Sequence, residues 1–269
     1  MRFLFWNTHR NSKINPYIVG LVLEHNIDFL VLAEYTDNPE ELAEEFYRKQ
    51  IRFHNCFTEG CDRIKIWSSY VHVEPGVQEK HYSLQIVNNK FIVCSTHLMS
   101  DLFGDRSDER VETIRRIISD IHDLEIQSKV NSVIIIGDMN EEPYGNGCLG
   151  ANGFHGLSSI SVKEAGSRTI NGVEYTKFYN PMWNLLGDFV YPPGTYYYSQ
   201  AKLVNPFWHM LDQVIISRNL IPRLMRNELK IVTTCGNEDL FDDNMHPNKK
   251  ISDHFPIMCC FSEGEYYYG

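Results

Sequence analysis

The sequence predicts an α/β chain whose strands pack face to face as sheets, rather than a doubly wound parallel fold. Three observations carry that expectation. Short apolar runs bounded by turn residues outnumber segments of helical period, and few strand–helix–strand units repeat cleanly. Hydrophobic residues make up 43% of the chain, with 15 Tyr, 15 Phe and 4 Trp, enough for a sizeable core. No internal repeat, low-complexity tract or Gly/Ser linker interrupts the 269 residues, so 1–269 is expected to form one domain.

The elements follow in order. Phe3 to Trp6 reads as a short buried strand, and Ile14 to His25 as a helix with Pro16 tolerable in its first turn. Asp28 to Ala33 is a compact apolar strand ending at Glu34. Pro39 to Lys49 reads as a helix starting after Asp37 or Asn38. Arg63 to Trp67 and Tyr70 to Val73 look like strands, and His81 to Val87, an Asn88-Asn89 turn and Lys90 to Ser95 form a hairpin. Val111, Ile114, Ile117, Ile118, Ile121 and Leu124 mark one face of a long amphipathic helix capped by Asp105 or Ser107. Val133 to Ile136 is a buried strand leading into Gly137-Asp138-Met139-Asn140. From Glu141 to Asn205 periodicity weakens, which in a compact domain marks functional loops. Met210 to Ser217, Lys230 to Thr234 and Phe255 to Phe261 return to strand pattern.

Composition excludes several classes. No run of eighteen apolar residues occurs, and the N-terminal stretch is too short for a secretory signal, so a cytoplasmic protein with no membrane association is expected. Seven cysteines without framework spacing read as reduced thiols, and Cys56 and Cys61 lack the partners of a zinc site. The formal charge of −10 works against sequence-blind attraction to nucleic acid, yet carboxylates gathered around a cation reverse the local sign.

The polar residues collect at strand ends. Asn7 ends the first strand, Glu34 the second and His97 the hairpin, while Asp138 and Asn140 follow the Val133–Ile136 run. Asp212 interrupts another apolar run, and Asp253-His254 immediately precedes the last strand. Singly, each reads as a turn or core residue. Together they share chemistry as well as position, and that chemistry suits phosphoryl transfer. A hard divalent cation takes oxygen ligands, supplied by Glu34 with Asp253 or Asn7. A carboxylate such as Asp212 fixes the tautomer of His254 and favours its protonated form. Asn140, Asn7 and His97 can donate to phosphate oxygens, and Asp138 can orient or deprotonate the attacking water.

The motifs WN at Trp6-Asn7, LAEY around Glu34, STHL around His97, GDMNEEP from Gly137, LDQVIIS around Asp212 and SDHFPI from Ser252 occur in that order. The chain thereby resembles the endonuclease/exonuclease/phosphatase (DNase I-like) superfamily, over essentially its whole length. The resemblance implies a four-layer sandwich, two mixed sheets flanked by helices. It also implies Mg2+ or Mn2+ held by Glu34, a terminal Asp253-His254 pair buttressed by Asp212, and a GDxN pair at Asp138 and Asn140. Ala33 stands where relatives often carry Gln. His97 replaces the tyrosine usual in AP endonucleases, and IIIGDMN and MLDQV depart from the inositol 5-phosphatase pattern. The membrane-associating segments common in neutral sphingomyelinases are not visible.

Substrate is the less determined part. Arg168, Lys177, Tyr179, Trp183, Tyr196, Tyr197, Tyr198, Lys202, Phe207 and Trp208 interleave rings and cations, as single-stranded nucleic acid or a nucleotide requires, although such rings also pack loops. Trp208, Tyr197 and Arg168 are the candidate contacts. A nuclease is the first reading, a phosphatase or phosphodiesterase of a small metabolite or lipid head group the second, and a catalytically inactive binding module the third. No protein partner is inferable. Asp239, Asp242, Asp243 and His246 read as a solvated loop rather than a calcium site.

Overall fold

The structure, a computed structural model, describes residues 1–70, 72–101, 104–161, 163–201, 203–262 and 264. Lys202 and the Tyr266–Tyr268 tail lie outside the described residues. Strand β1 (Arg2–Asn7) sets the layering, because it is buried on both faces. Phe3 and Phe5 join one core and Leu4 and Trp6 another, as the two-residue period of a strand requires. Helix α1 (Asn15–His25) carries the chain over to β2 (Phe29–Ala33), which lies parallel to β1 with Asn7 opposite Ala33. Helix α2 (Pro39–Arg48) is capped by Asn38, whose side chain accepts from the Glu40 and Glu41 amides.

Strands β3 (His54–Asn55) and β4 (Ile64–Ser68) complete one edge of this first sheet. The second sheet begins with β5 (Val73–Glu79), β6 (Tyr82–Val87) and β7 (Phe91–His97). Only Val73 of the expected Tyr70–Val73 strand is in a strand, and Val71 lies outside the described residues. The strand instead continues through Pro75 and Gly76, tolerated because it is a sheet edge with an irregular register there. Asn88 and Asn89 both take positive φ, the conformation a tight two-residue hairpin turn demands.

Helix α3 (Ser107–Ser128) crosses to β8 (Val133–Asp138), parallel to β7. Arg106 occupies its cap position without a capping bond, and Asp105 Oδ1 accepts from the Ser107 amide. Beyond come α4 (Asn146–Leu149), β9 (Gly156–Leu157), the exposed ribbon β10 (Ser167–Ile170) and β11 (Val173–Thr176), and β12 (Phe178–Tyr179). A second ribbon pairs β13 (Tyr196–Tyr197) with β14 (Trp208–His209), and β15 (Asp212–Ser217) enters the second sheet antiparallel to β8. Strand β16 (Lys230–Ile231), a small ribbon of β17 (Thr234–Cys235) and β18 (Glu238–Asp239), and β19 (Ile257–Cys260) close the chain. The sheet orders are β16-β19-β1-β2-β4-β3 and β5-β6-β7-β8-β15-β12-β9.

Three buried clusters separate four layers. Phe3, Phe5, Val31, Ile134, Ile136, Val214 and Ile257 fill the space between the sheets. Leu4, Trp6, Leu30 and Leu32 meet Ile18 and Leu21 of α1 and Leu42 and Phe46 of α2. Ile92, Val133, Ile135 and Ile215 meet Ile114, Ile117 and Ile121 of α3. Two mixed sheets face to face with helices outside is the expected sandwich. Among the described residues no helix is long and apolar enough to cross a membrane, and all seven cysteines are free.

Candidate functional site

Sheet register brings the polar strand ends together. His97 lies opposite Asp138 across the parallel β7–β8 pair, and Asp212 opposite Asp138 across β8–β15, so three adjacent strands present these side chains at one end. In the facing sheet Asn7 ends β1 and Glu34 follows β2. Asp253-His254 precedes β19, which runs antiparallel to β1 with Ile257 opposite Phe5. Two bonds stitch that junction: Trp6 Nε1 donates to the His254 carbonyl at 2.9 Å and Ser252 Oγ to the Asn7 carbonyl at 2.7 Å. Gly137 has a local reason of its own, since a Cβ there would drive into the Thr96 carbonyl oxygen of β7.

The buried part of the site is a hydrogen-bonded chain. His254 Nδ1 lies 2.8 Å from Asp212 Oδ2, and the other Asp212 oxygen is buried without a partner. Burial alone would push the His254 pKa down. The charges of Asp212, Asp138 and Asp253 outweigh it and raise the imidazole to about 10. Asp138 is raised well above the ordinary carboxylate range, first by burial and then by Asp212, against the opposing pull of His254. Asn7 Nδ2 donates to Asp138 Oδ2 at 3.0 Å, the Asn140 amide donates to Asp138 Oδ1 at 2.9 Å, and Asn140 Nδ2 donates to the Leu98 carbonyl. His97 is pushed down to about 3, chiefly by burial, and is neutral; its Nε2 stands 3.6 Å from Glu34 Oε1 and 3.7 Å from Asp138 Oδ2.

The open part is acidic. Glu34 Oε2 meets Arg10 Nε at 3.2 Å, and His9 Nδ1 approaches Asp253 Oδ1 at 3.1 Å without hydrogen-bond geometry, so that buried oxygen lacks a hydrogen-bond partner. His9, Arg10, Glu34 and Asn140 all take positive φ, an unusual concentration of left-handed non-glycine residues. These groups line a cleft of about 980 Å³ whose far wall is Glu142, Tyr144, Tyr196, Tyr198 and His209.

All eight rim residues expected from the sequence converge. The three substrate candidates do not line the cleft. Tyr197 alternates with Tyr196 and Tyr198 and turns the other way, its ring 3.5 Å from that of His246, while Trp208 packs on Phe255. Arg168 sits on the exposed β10–β11 ribbon. Sequence reasoning passed over His9, Arg10, Glu142 and His209. The available signals were the adjacency of His9-Arg10 to Asn7 and of Glu142 to the GDMN motif.

Buried acids and an imidazole within 4.8 Å of one another, Asp138, Asp212 and His254, have the spacing of a metal ligand set. The 2.8 Å bond between His254 and Asp212 instead marks a proton-sharing dyad, with its facing atoms occupied. Glu34 and Asp253 fit a cation better. Their carboxylates face the cleft beside the largely exposed side chains of Arg10 and His9, with His254 Nε2 4.0 Å from Asp253 Oδ1, an oxygen that has no hydrogen-bond partner among the described residues. Hard oxygen donors of this kind suit Mg2+ or Mn2+.

No family model matches the sequence, and no curated protein matches it. Solved structures do match. A Neisseria 3′ phosphatase, NExo, bound to a product DNA hairpin superposes with a TM-score of 0.59 at 14% identity over 97% of this chain and 99% of that one. An AP endonuclease from Archaeoglobus fulgidus gives 0.57 at 14% over 97% and 99%. D. rerio TDP2 complexed with a single-strand DNA product gives 0.57 at 15% over 97% and 98%. The fold is that of the endonuclease/exonuclease/phosphatase superfamily. In this DNase I-like fold the strand-end rim and the cleft belong to one continuous surface, formed where both sheets end.

Proposed function

We propose that the chain is a divalent-metal-dependent phosphodiesterase, a nuclease-type hydrolase that opens phosphodiester bonds of DNA or RNA by attack of an activated water. The observation that supports it is the convergence of Asn7, Glu34, His97, Asp138, Asn140, Asp212, Asp253 and His254 at one end of two facing sheets. Of the neighbours above, NExo and D. rerio TDP2 are bound to product DNA and the third is named an AP endonuclease, which agrees with this reading.

Glu34 and Asp253 would hold Mg2+ or Mn2+, with the Asn7 amide oxygen adjoining, and the bound cation supplies neutralisation of phosphate charge. The chain's own groups do the rest. Asp212 holds His254 as an imidazolium whose Nε2–H donates to a non-bridging or leaving oxygen. Asp138, raised by burial and held in place by Asn7 and Asn140, takes the proton of the attacking water. Neutral His97 and the second amide hydrogen of Asn140 add donors without adding charge.

A second reading, a small phosphate ester as substrate, draws on the net charge of −10 and the carboxylates of Asp101, Glu141 and Glu142 along the cleft, which disfavour a long polyanion. The test is turnover of single-stranded DNA, RNA, duplex DNA and bis-p-nitrophenyl phosphate with manganese, beside His254→Ala. Polynucleotide cleavage lost in the variant by about 10²–10⁴-fold establishes the nuclease. Turnover of the small diester alone moves the assignment to the second reading, and no turnover of any phosphate ester overturns both.

A further inference from the structure

The pair Glu142–His209 lies in the same cleft and takes no part in the chemistry above. Glu142 Oε1 is 2.6 Å from His209 Nδ1, and Oε2 accepts from the Met210 amide at 3.1 Å. A carboxylate only accepts, so Nδ1 carries a hydrogen towards Glu142, and Nε2 is the ring nitrogen that Glu142 does not occupy. That Nε2 is buried and has no hydrogen-bond partner among the described residues. Two rings lie beside the His209 ring: Tyr196 at 6.3 Å between centroids and Tyr198, edge-on, at 6.5 Å. They stack on each other at 6.4 Å and 22°, and Tyr196 continues to His254 at 4.8 Å. An unbroken strip of rings therefore joins the Asp212–His254 dyad to the Glu142–His209 pair.

We infer that this strip is a nucleobase subsite, in which the base next to the scissile phosphate stacks on Tyr196 and Tyr198 and supplies the hydrogen-bond partner that His209 Nε2 lacks. The inference rests on the phosphodiesterase reading and names its substrate class, a nucleotide. Stacking on a tyrosine face suits any base. A second phosphate is the wrong occupant, because Glu142 sits at this end and Arg110 is bound in bidentate fashion to Asp101. A hydrocarbon chain would leave the polar pair buried and unsatisfied. The base reaches Nε2 past the half-buried ring of Tyr198, and Glu142 holds the imidazole in place from its other side.

The experiment compares two manganese-dependent substrates with the same leaving group, thymidine 5′-(p-nitrophenyl phosphate) and methyl p-nitrophenyl phosphate. The expected result is a kcat/KM ratio of tenfold or more in favour of the nucleoside ester, expressed mainly in KM. That ratio collapses towards one in His209→Ala and in Tyr198→Ala and is retained in Tyr198→Phe. Equal turnover of the two esters, or a ratio that survives both alanine variants, overturns the subsite while the phosphodiesterase reading stands. If neither ester is hydrolysed, that reading fails on its own, and calorimetric titration with thymidine 5′-monophosphate decides the subsite. Binding lost in Tyr198→Ala supports it, and absence of binding to the unmutated protein overturns it.

Discussion

The two walls of the cleft are built by different means. On the rim, His97, Asp138 and Asp212 are neighbours because three strands pair in one register, and a slip of one residue would turn each to the opposite face. Across the cleft, Tyr196, Tyr198 and His209 belong to a short ribbon between long irregular stretches, tied to the rim by the Phe255 amide donating to the Thr195 carbonyl, the Asp212 amide donating to Thr195 Oγ1, and the bridge of Tyr196 with His254. The first wall is a by-product of core packing. The second hangs from the rim by a few bonds, and on the proposed function it carries recognition while the rim carries the chemistry.

That contrast can be broken most sharply at Asp212. Asp212→Asn is expected to lower turnover by about 10²–10⁴-fold, because His254 loses the charge that keeps it protonated. In metal-free protein the His254 titration, followed by NMR, should fall from about 10 towards its ordinary value. Because the folded pKa is raised, the proton's contribution to stability is complete below about 6.5 and is lost as pH rises through about 10. The stability difference between the two proteins should accordingly shrink on the alkaline side, and an undiminished difference above that pH would contradict the assignment.

The next effect lies in the packing beneath the rim. Ile134→Ala, in β8 between the sheets, should cost about 2–5 kcal/mol in denaturant unfolding. Turnover per folded molecule should fall with it if the rim depends on sheet register. The smallest effect is expected on the loop side, where Phe189 is fully exposed: Phe189→Ser should change stability by no more than about 0.5 kcal/mol. A large loss there would mean that the loop around Phe189 contributes more to packing than its exposure indicates.

The same contrast explains what the sequence revealed. Asn7, Glu34, His97, Asp138, Asp212 and His254 were legible because each follows or interrupts a strong apolar run, and the strand end is where side chains of both sheets meet. Choosing Tyr197 over Tyr196 and Tyr198 was a matter of phase. In a two-residue strand after a long loop, no flanking hydrophobic alternation fixes which side faces in. Trp208 looked like a contact because of its closeness to Asp212, yet its ring serves the hydrophobic layer around Phe255. His209 was hidden for the opposite reason: its partner Glu142 lies 67 positions away, and no periodicity links them.

The pairing of β19 with β1 has a consequence for how the polypeptide is made. Trp6 and His254 are 248 positions apart, and until the later segment arrives β1 lacks its antiparallel neighbour and the dyad lacks its imidazole. A chain interrupted between residues 138 and 254 carries Glu34, His97 and Asp138 but no His254 to complete the rim. On the proposed function, a fragment released before that segment is made therefore lacks the proton donor that His254 would supply.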